Sequence, residues 1–150
     1  MSILRLICHQ IKHKFWVAVY CLKFCIELMW RALIHDMSKF SKIEFKSYCK
    51  SIGELKSITF GSEEYYASLK RLGPALDHHY KVNRHHPQYF KDSYRGMNLL
   101  DFVEMFFDWK AAIKKHSDGN LKKSIDFNGK RFKMSTVVIN LLDKSVDSGI

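Results

Sequence analysis

Apolar residues recur along the chain at spacings of three and four, and no segment reads as a strand. Leu4, Ile7, Ile11, Phe15, Val19 and Leu22 fall on one stripe, which predicts an amphipathic helix starting after Ser2. A second helix is expected over Leu28 to Asp36, with the chain reversing near Phe24 to Met29. Ser38 or Ser41 can cap a short helix through Glu44, Phe45 and Tyr48. Residues 51–62 hold Gly53, Gly61 and several serines and read as a loop.

Glu63 to Arg71 reads as helix. Gly73-Pro74 breaks it, and Pro74 can open the next helix, which carries Leu76, His78, His79 and Val82. His86 precedes Pro87 and is biased away from helix, so a helix ends there. Residues 87–97 form a loop with Tyr89, Phe90 and Tyr94. Asn98 caps a strong helix from Leu99 to about Lys115, which Asp118-Gly119 closes. Helices follow around Leu121 to Phe132 and Ser135 to Val146, with Ser135 a good N-cap for the last. The sum is an all-α protein: one compact helical bundle over residues 1–150.

Composition agrees. Only two prolines and seven glycines occur, too few for the turns of an all-β chain. The formal net charge of +10 points to anionic partners. Its lysines are spread and form no polybasic tail, which favours a phosphate-bearing small molecule over nucleic acid or a membrane. The apolar run from Phe15 to Ile34 carries Lys23, Glu27 and Arg31, which are costly at a bilayer centre, so no membrane span is expected. Cys8, Cys21, Cys25 and Cys49 form no C-x-x-C pair. Cys21 and Cys25 read as buried thiols one helical turn apart, and a reducing cytoplasm fits.

Eight histidines are many for 150 residues, and their placing is informative. His13 lies on the first helix and His35-Asp36 ends the second. His78-His79 and His85-His86 form two doublets. Asp101, Glu104 and Asp108 are spaced to lie on one face of the strong helix, with Phe102, Met105, Phe106 and Trp109 left for the core. Asp108 is the candidate ligand, while Asp101 and Glu104 read as supporting or surface groups. Imidazole and carboxylate together suit Mn, Fe, Co, Ni or Zn, and helices of a bundle can converge their side chains on an ion. An unbroken helix from His13 to His35 would hold them roughly 33 Å apart at about 1.5 Å per residue. They meet only if the chain reverses between them.

The order His, His-Asp, then a distant helical Asp resembles the HD superfamily of metal-dependent phosphohydrolases, whose ligands H…HD…D correspond to His13, His35, Asp36 and Asp108. The stretch Ile34-His35-Asp36-Met37-Ser38-Lys39 is similar to that family's apolar-HD-x-x-K signature. The whole chain also resembles small HD-like proteins of tailed phages and bacteria through His13-Lys14, Leu33 to Phe40, His78 to Pro87 and Asp108-Trp109. The resemblance implies an HD-like helical fold, one or two divalent ions, and hydrolysis of a nucleotide or related phosphate ester by metal-bound hydroxide in the cytoplasm, a host's if the chain is phage-encoded. By that likeness His79 and His85 add ligands from the histidine run. Asp36 and His79 carry catalysis, and Lys39, Arg84, His78, His86 and Lys81 hold the phosphate. Two other functions fit the residues: oxygen-dependent oxidation at paired iron, and a non-catalytic basic protein that binds nucleic acid or inhibits a host protein.

Overall fold

The computed structural model describes residues 3–55, 58, 62–115 and 119–148. Among these residues there are six α-helices and no strand, so the chain is all-α as the periodicity predicts. It divides into two compact units, Met1–His35 and Asp36–Ile150.

The first unit is a single helix, α1, Ile3–Ile34. The reversal expected between Phe24 and Met29 is absent, because no glycine or proline interrupts residues 3–34 to end the hydrogen-bond ladder. The two expected N-terminal helices are therefore one. None of its residues is buried; Cys8 is exposed, and so are Cys21 and Cys25, against the expectation that these two are buried thiols. Among the described residues no helix is long and apolar enough to cross a membrane.

The second unit opens with Asp36 in the left-handed region, φ 57°, ahead of a 3-10 turn over Met37–Phe40. Ser41 Oγ then accepts the Glu44 backbone N–H at 3.3 Å, and α2 runs over Phe45–Leu55. The expected loop thus begins later than residue 51. Helix α3 spans Glu63–Val82 with a kink at Gly73 (φ 38°, ψ −115°), where the glycine-proline pair predicts a break. His86 is extended, and Pro87 opens the 3-10 turn Pro87–Tyr89.

Helix α4, Leu99–Ala112, begins with a capping box: Asn98 Oδ1 accepts the Asp101 N–H at 2.9 Å and Asp101 Oδ2 accepts the Asn98 N–H at 3.0 Å. A 3-10 turn, Ile113–Lys115, extends it; Asp118, read as part of its stop, lies outside the described residues. Helices α5, Leu121–Arg131, and α6, Thr136–Asp147, follow. Ser135 caps α6 as predicted, its Oγ accepting the Val138 N–H.

The core of this unit is Tyr94, Met105, Phe106, Trp109, Leu121, Ile125, Met134 and Leu142. It joins α4, α5 and α6, and it takes up the apolar side of α4 as its spacing predicts. Trp109 stacks on Phe132. Tyr94 is buried, and its hydroxyl accepts the Ser135 N–H at 3.2 Å. With its apolar face committed to the core, α4 presents its acidic face towards the end of α3 and the turn after it.

Candidate metal centre

The histidine run follows from where α3 ends. His79 sits on the last turns of that helix and is 3% exposed. Asn83, one turn on, donates its amide N–H to the His79 carbonyl at 2.8 Å and to Ser38 Oγ at 2.7 Å, which ties the helix end to the turn after Asp36. The chain then leaves the helix, and His85, 2% exposed, and His86 turn back beside His79. The His85 and His86 rings lie 4.1 Å apart between centroids and tilted by 49°, and His79 and His86 lie 4.8 Å apart.

Asp36, His79, His85 and His86 each offer one donor atom, and these atoms lie within 4.8 Å of one another. Asp36 Oδ1 is 3.2 Å from His79 Nε2 and 3.3 Å from His85 Nε2. His86 Nε2 is 2.9 Å from His79 Nε2. Ligands about 2.1 Å from a common ion stand about 3.0–3.4 Å from one another in octahedral or tetrahedral geometry. These three separations, 3.2, 3.3 and 2.9 Å, lie close to that range.

The far side of each buried ring explains what faces inward. His85 Nδ1 lies 3.3 Å from Glu104 Oε1, and His79 Nδ1 lies 3.0 Å from Glu44 Oε2. His79 Nδ1 hydrogen-bonds its carboxylate, whereas the contacts of both Nε2 atoms with Asp36 lie outside hydrogen-bond geometry, so a ring protonated on Nδ1 leaves Nε2 as a lone pair. Two lone pairs then converge with a carboxylate oxygen, an arrangement that repels unless a cation is shared among them. Carboxylates behind the imidazoles are also the usual support of metal-bound histidine. The donor set fits a metal ion.

His86 is pushed down to about 3, mainly by burial, next by the charge of His85 and also by His79, with the carboxylates of Asp108 and Asp36 pulling the other way. It is a neutral imidazole at neutral pH, the form that ligates. Tyr48, one turn after Glu44, packs edge-on to His79. Burial first and the Glu44 charge second hold its phenol protonated well above the ordinary range.

Of the expected ligands, the second unit brings together Asp36, His79 and His85. His86, read as a phosphate contact, joins them at ligand distance. Asp108 is close enough for its charge to bear on His86. His35 is half-buried and ends the first unit, bonded to Asp36. His13 is the correction: it stands on the unbroken α1, about 33 Å along the axis from His35 at about 1.5 Å per residue. These two imidazoles of one chain do not share an ion.

The expected phosphate contacts are distributed differently. Lys39 Nζ pairs with Asp36 Oδ2 and lies over the Tyr48 ring. Arg84 donates from Nε and NH2 to the two oxygens of Asp101, at 3.1 and 2.9 Å, and its guanidinium sits over Tyr89 and Phe90. His78 Nδ1 is 2.6 Å from Glu44 Oε1. Lys81 is exposed. Glu104 is the supporting group the helical spacing offered as one of two readings, and Asp101 is buried as the partner of Arg84. Glu44 was missed, because a lone glutamate ahead of a short helix carries no spacing signal.

Fold and cluster together define an all-α protein with a buried histidine-carboxylate group that could hold a metal ion. The chain belongs to the family of unknown function DUF5662, whose sequence profile matches residues 3–147. No curated protein and no solved structure matches it.

Proposed function

We propose that this protein is a divalent-metal-dependent phosphohydrolase acting on a nucleotide or related phosphate ester, HD-like in its use of the His35-Asp36 pair. The observation that carries the reading is the convergence of Asp36 Oδ1 with the Nε2 atoms of His79 and His85 at 3.2 and 3.3 Å. The imidazole-rich set favours Mn, Fe, Co, Ni or Zn over Mg. A bound ion of this kind lowers the pKa of its water and offsets phosphoryl charge.

The chain's own groups supply the rest. Asp36 offers Oδ1 to the cluster and Oδ2 to Lys39, so its carboxylate can hold an attacking water while Lys39 balances its charge. The Lys39 ammonium is part-exposed and stands where a phosphate oxygen can replace Asp36 as its partner. The Tyr48 hydroxyl, held protonated, can give a hydrogen bond to a phosphoryl oxygen. The formal net charge of +10 draws an anionic substrate to the surface.

The experiment is metal content by elemental analysis, then turnover of a nucleotide panel by wild type, Asp36→Ala and His79→Ala. Stoichiometric transition metal and turnover lost in both variants are expected. A protein that takes up no transition metal, or one whose variants turn over as fast as wild type, overturns the proposal. Iron-dependent oxygen consumption without phosphate release would replace it with the oxidase reading.

A further inference from the structure

We infer that Glu44 is a positioning residue: its buried carboxylate fixes the ring protons of two successive histidines on Nδ1, so that His79 presents Nε2 to the cluster and His78 keeps Nε2 as an acceptor. The inference deepens the metal-centre reading and rests on it for the role of His79.

Glu44 is 0% exposed. Oε1 lies 2.6 Å from His78 Nδ1 and Oε2 lies 3.0 Å from His79 Nδ1. It sits just ahead of α2, where the Ser41 cap fixes its backbone and the positive end of the helix favours a carboxylate. A carboxylate oxygen only accepts hydrogen bonds, and both contacts to Nδ1 have hydrogen-bond geometry, so each of these nitrogens donates.

Two other groups stand at 3.1 Å from His79 Nδ1, Ser38 Oγ and Asn83 Nδ2. Neither displaces the assignment. Both amide hydrogens of Asn83 are used, on Ser38 Oγ and on the His79 carbonyl. A hydroxyl competes with a full negative charge at a similar distance, and charge-assisted hydrogen bonds are roughly twice as strong as neutral ones. On the opposite side of the ring, Nε2 lies 3.2 Å from Asp36 Oδ1, a contact outside hydrogen-bond geometry, and 2.9 Å from His86 Nε2. The ring is therefore gripped from behind while its lone pair is turned to the other donors. His78 has the same proton placement on a side chain that is 29% exposed, which leaves its Nε2 as an acceptor.

The test is histidine tautomer assignment by long-range 1H–15N NMR on metal-free protein, with Zn2+ affinity by competition titration, for wild type and Glu44→Gln. In wild type both His78 and His79 carry the proton on Nδ1. Glutamine has one acceptor oxygen and one donor amide in place of two acceptors. In Glu44→Gln one of the two rings must therefore move its proton to Nε2, and Zn2+ affinity falls about 10- to 100-fold. Wild-type His79 protonated on Nε2 overturns the inference even if the variant does not fold. A folded Glu44→Gln with both tautomers and Zn2+ affinity unchanged overturns it too. Wild type that binds no Zn2+ while both rings keep the Nδ1 proton removes the metal role of Glu44, and separates failure of the metal reading from failure of the tautomer assignment.

Discussion

Replacing Asp101 by alanine is the sharpest test of how α4 holds the histidine run. The carboxylate is fully buried and accepts three hydrogen bonds, two from Arg84 and one from the Asn98 backbone. Losing this half of the capping box costs about 1 kcal/mol. A fully buried ion pair broken on one side costs about 3–5 kcal/mol. The Arg84 side chain, however, is 46% exposed, so water replaces its lost partner and the pair is worth nearer the surface value of about 1 kcal/mol. The small void left behind adds about 0.5–1 kcal/mol. The sum is about 2.5–3 kcal/mol.

For 150 residues at about 2.1 cal/mol/K each, 1 kcal/mol moves Tm by about 3 °C. Asp101→Ala should therefore melt about 8–9 °C below wild type in a reversible calorimetric scan. Asp101→Asn keeps one acceptor oxygen and should lose about half as much. In a double-mutant cycle with Arg84→Ala, about 1 kcal/mol of coupling is expected. An Asp101→Ala protein within 1 °C of wild type, or strictly additive single variants, would refute the ion pair and cap as the tie between α4 and residue 84.

Acid should weaken the metal-free protein through His86. Its folded value, about 3, lies below the ordinary 6.5, so between those pH values the unfolded chain binds the extra proton; stability is full above about 6.5 and falls with pH by up to about 1.4 kcal/mol per unit, a slope that urea titrations should find reduced in His86→Gln. Adding Zn2+ at about 100 times its Kd to chelator-treated protein should stabilise it by about 2.7 kcal/mol, and Asp36→Ala should abolish that gain in the same thermal scan. Gly73→Ala places a side chain at φ 38° and should destabilise by about 1–2 kcal/mol; an unchanged urea midpoint would show the kink relaxes at no cost.

Local signals carried most of the second unit. Asn98, Ser135 and the Gly73-Pro74 pair act where their chemistry predicts, because caps and breaks depend on residues within one turn. The same local logic, applied to the N-terminal half, gives one unbroken helix. Only a shared ion between His13 and His35 would require a reversal between Phe24 and Met29, and residues 3–34 contain no glycine or proline to make one.

The site was legible as parts and not as pairs. Acids at 101, 104 and 108 predict one helical face, and a basic run at 84–86 is plain in the sequence. What spacing does not reveal is that the two are matched in order: Asp101 holds Arg84, Glu104 holds His85, and the charge of Asp108 bears on His86. An extended turn advances about 3.3 Å per residue and a helix about 5 Å per three or four, so successive residues of one can meet successive turns of the other. That matching assigns distinct work to neighbours that look alike. Arg84 is committed to α4 and has little charge left for a phosphate, whereas His85 and His86 are turned towards Asp36. Under the proposed function, the phosphate contact is therefore assigned to Lys39 rather than Arg84. Lys39→Ala should raise KM for a phosphate ester substrate by more than tenfold with kcat changed less, and Arg84→Ala should lower Tm with KM nearly unchanged. The reverse pattern would return the phosphate to Arg84 and leave Lys39 as the counter-ion of Asp36 alone.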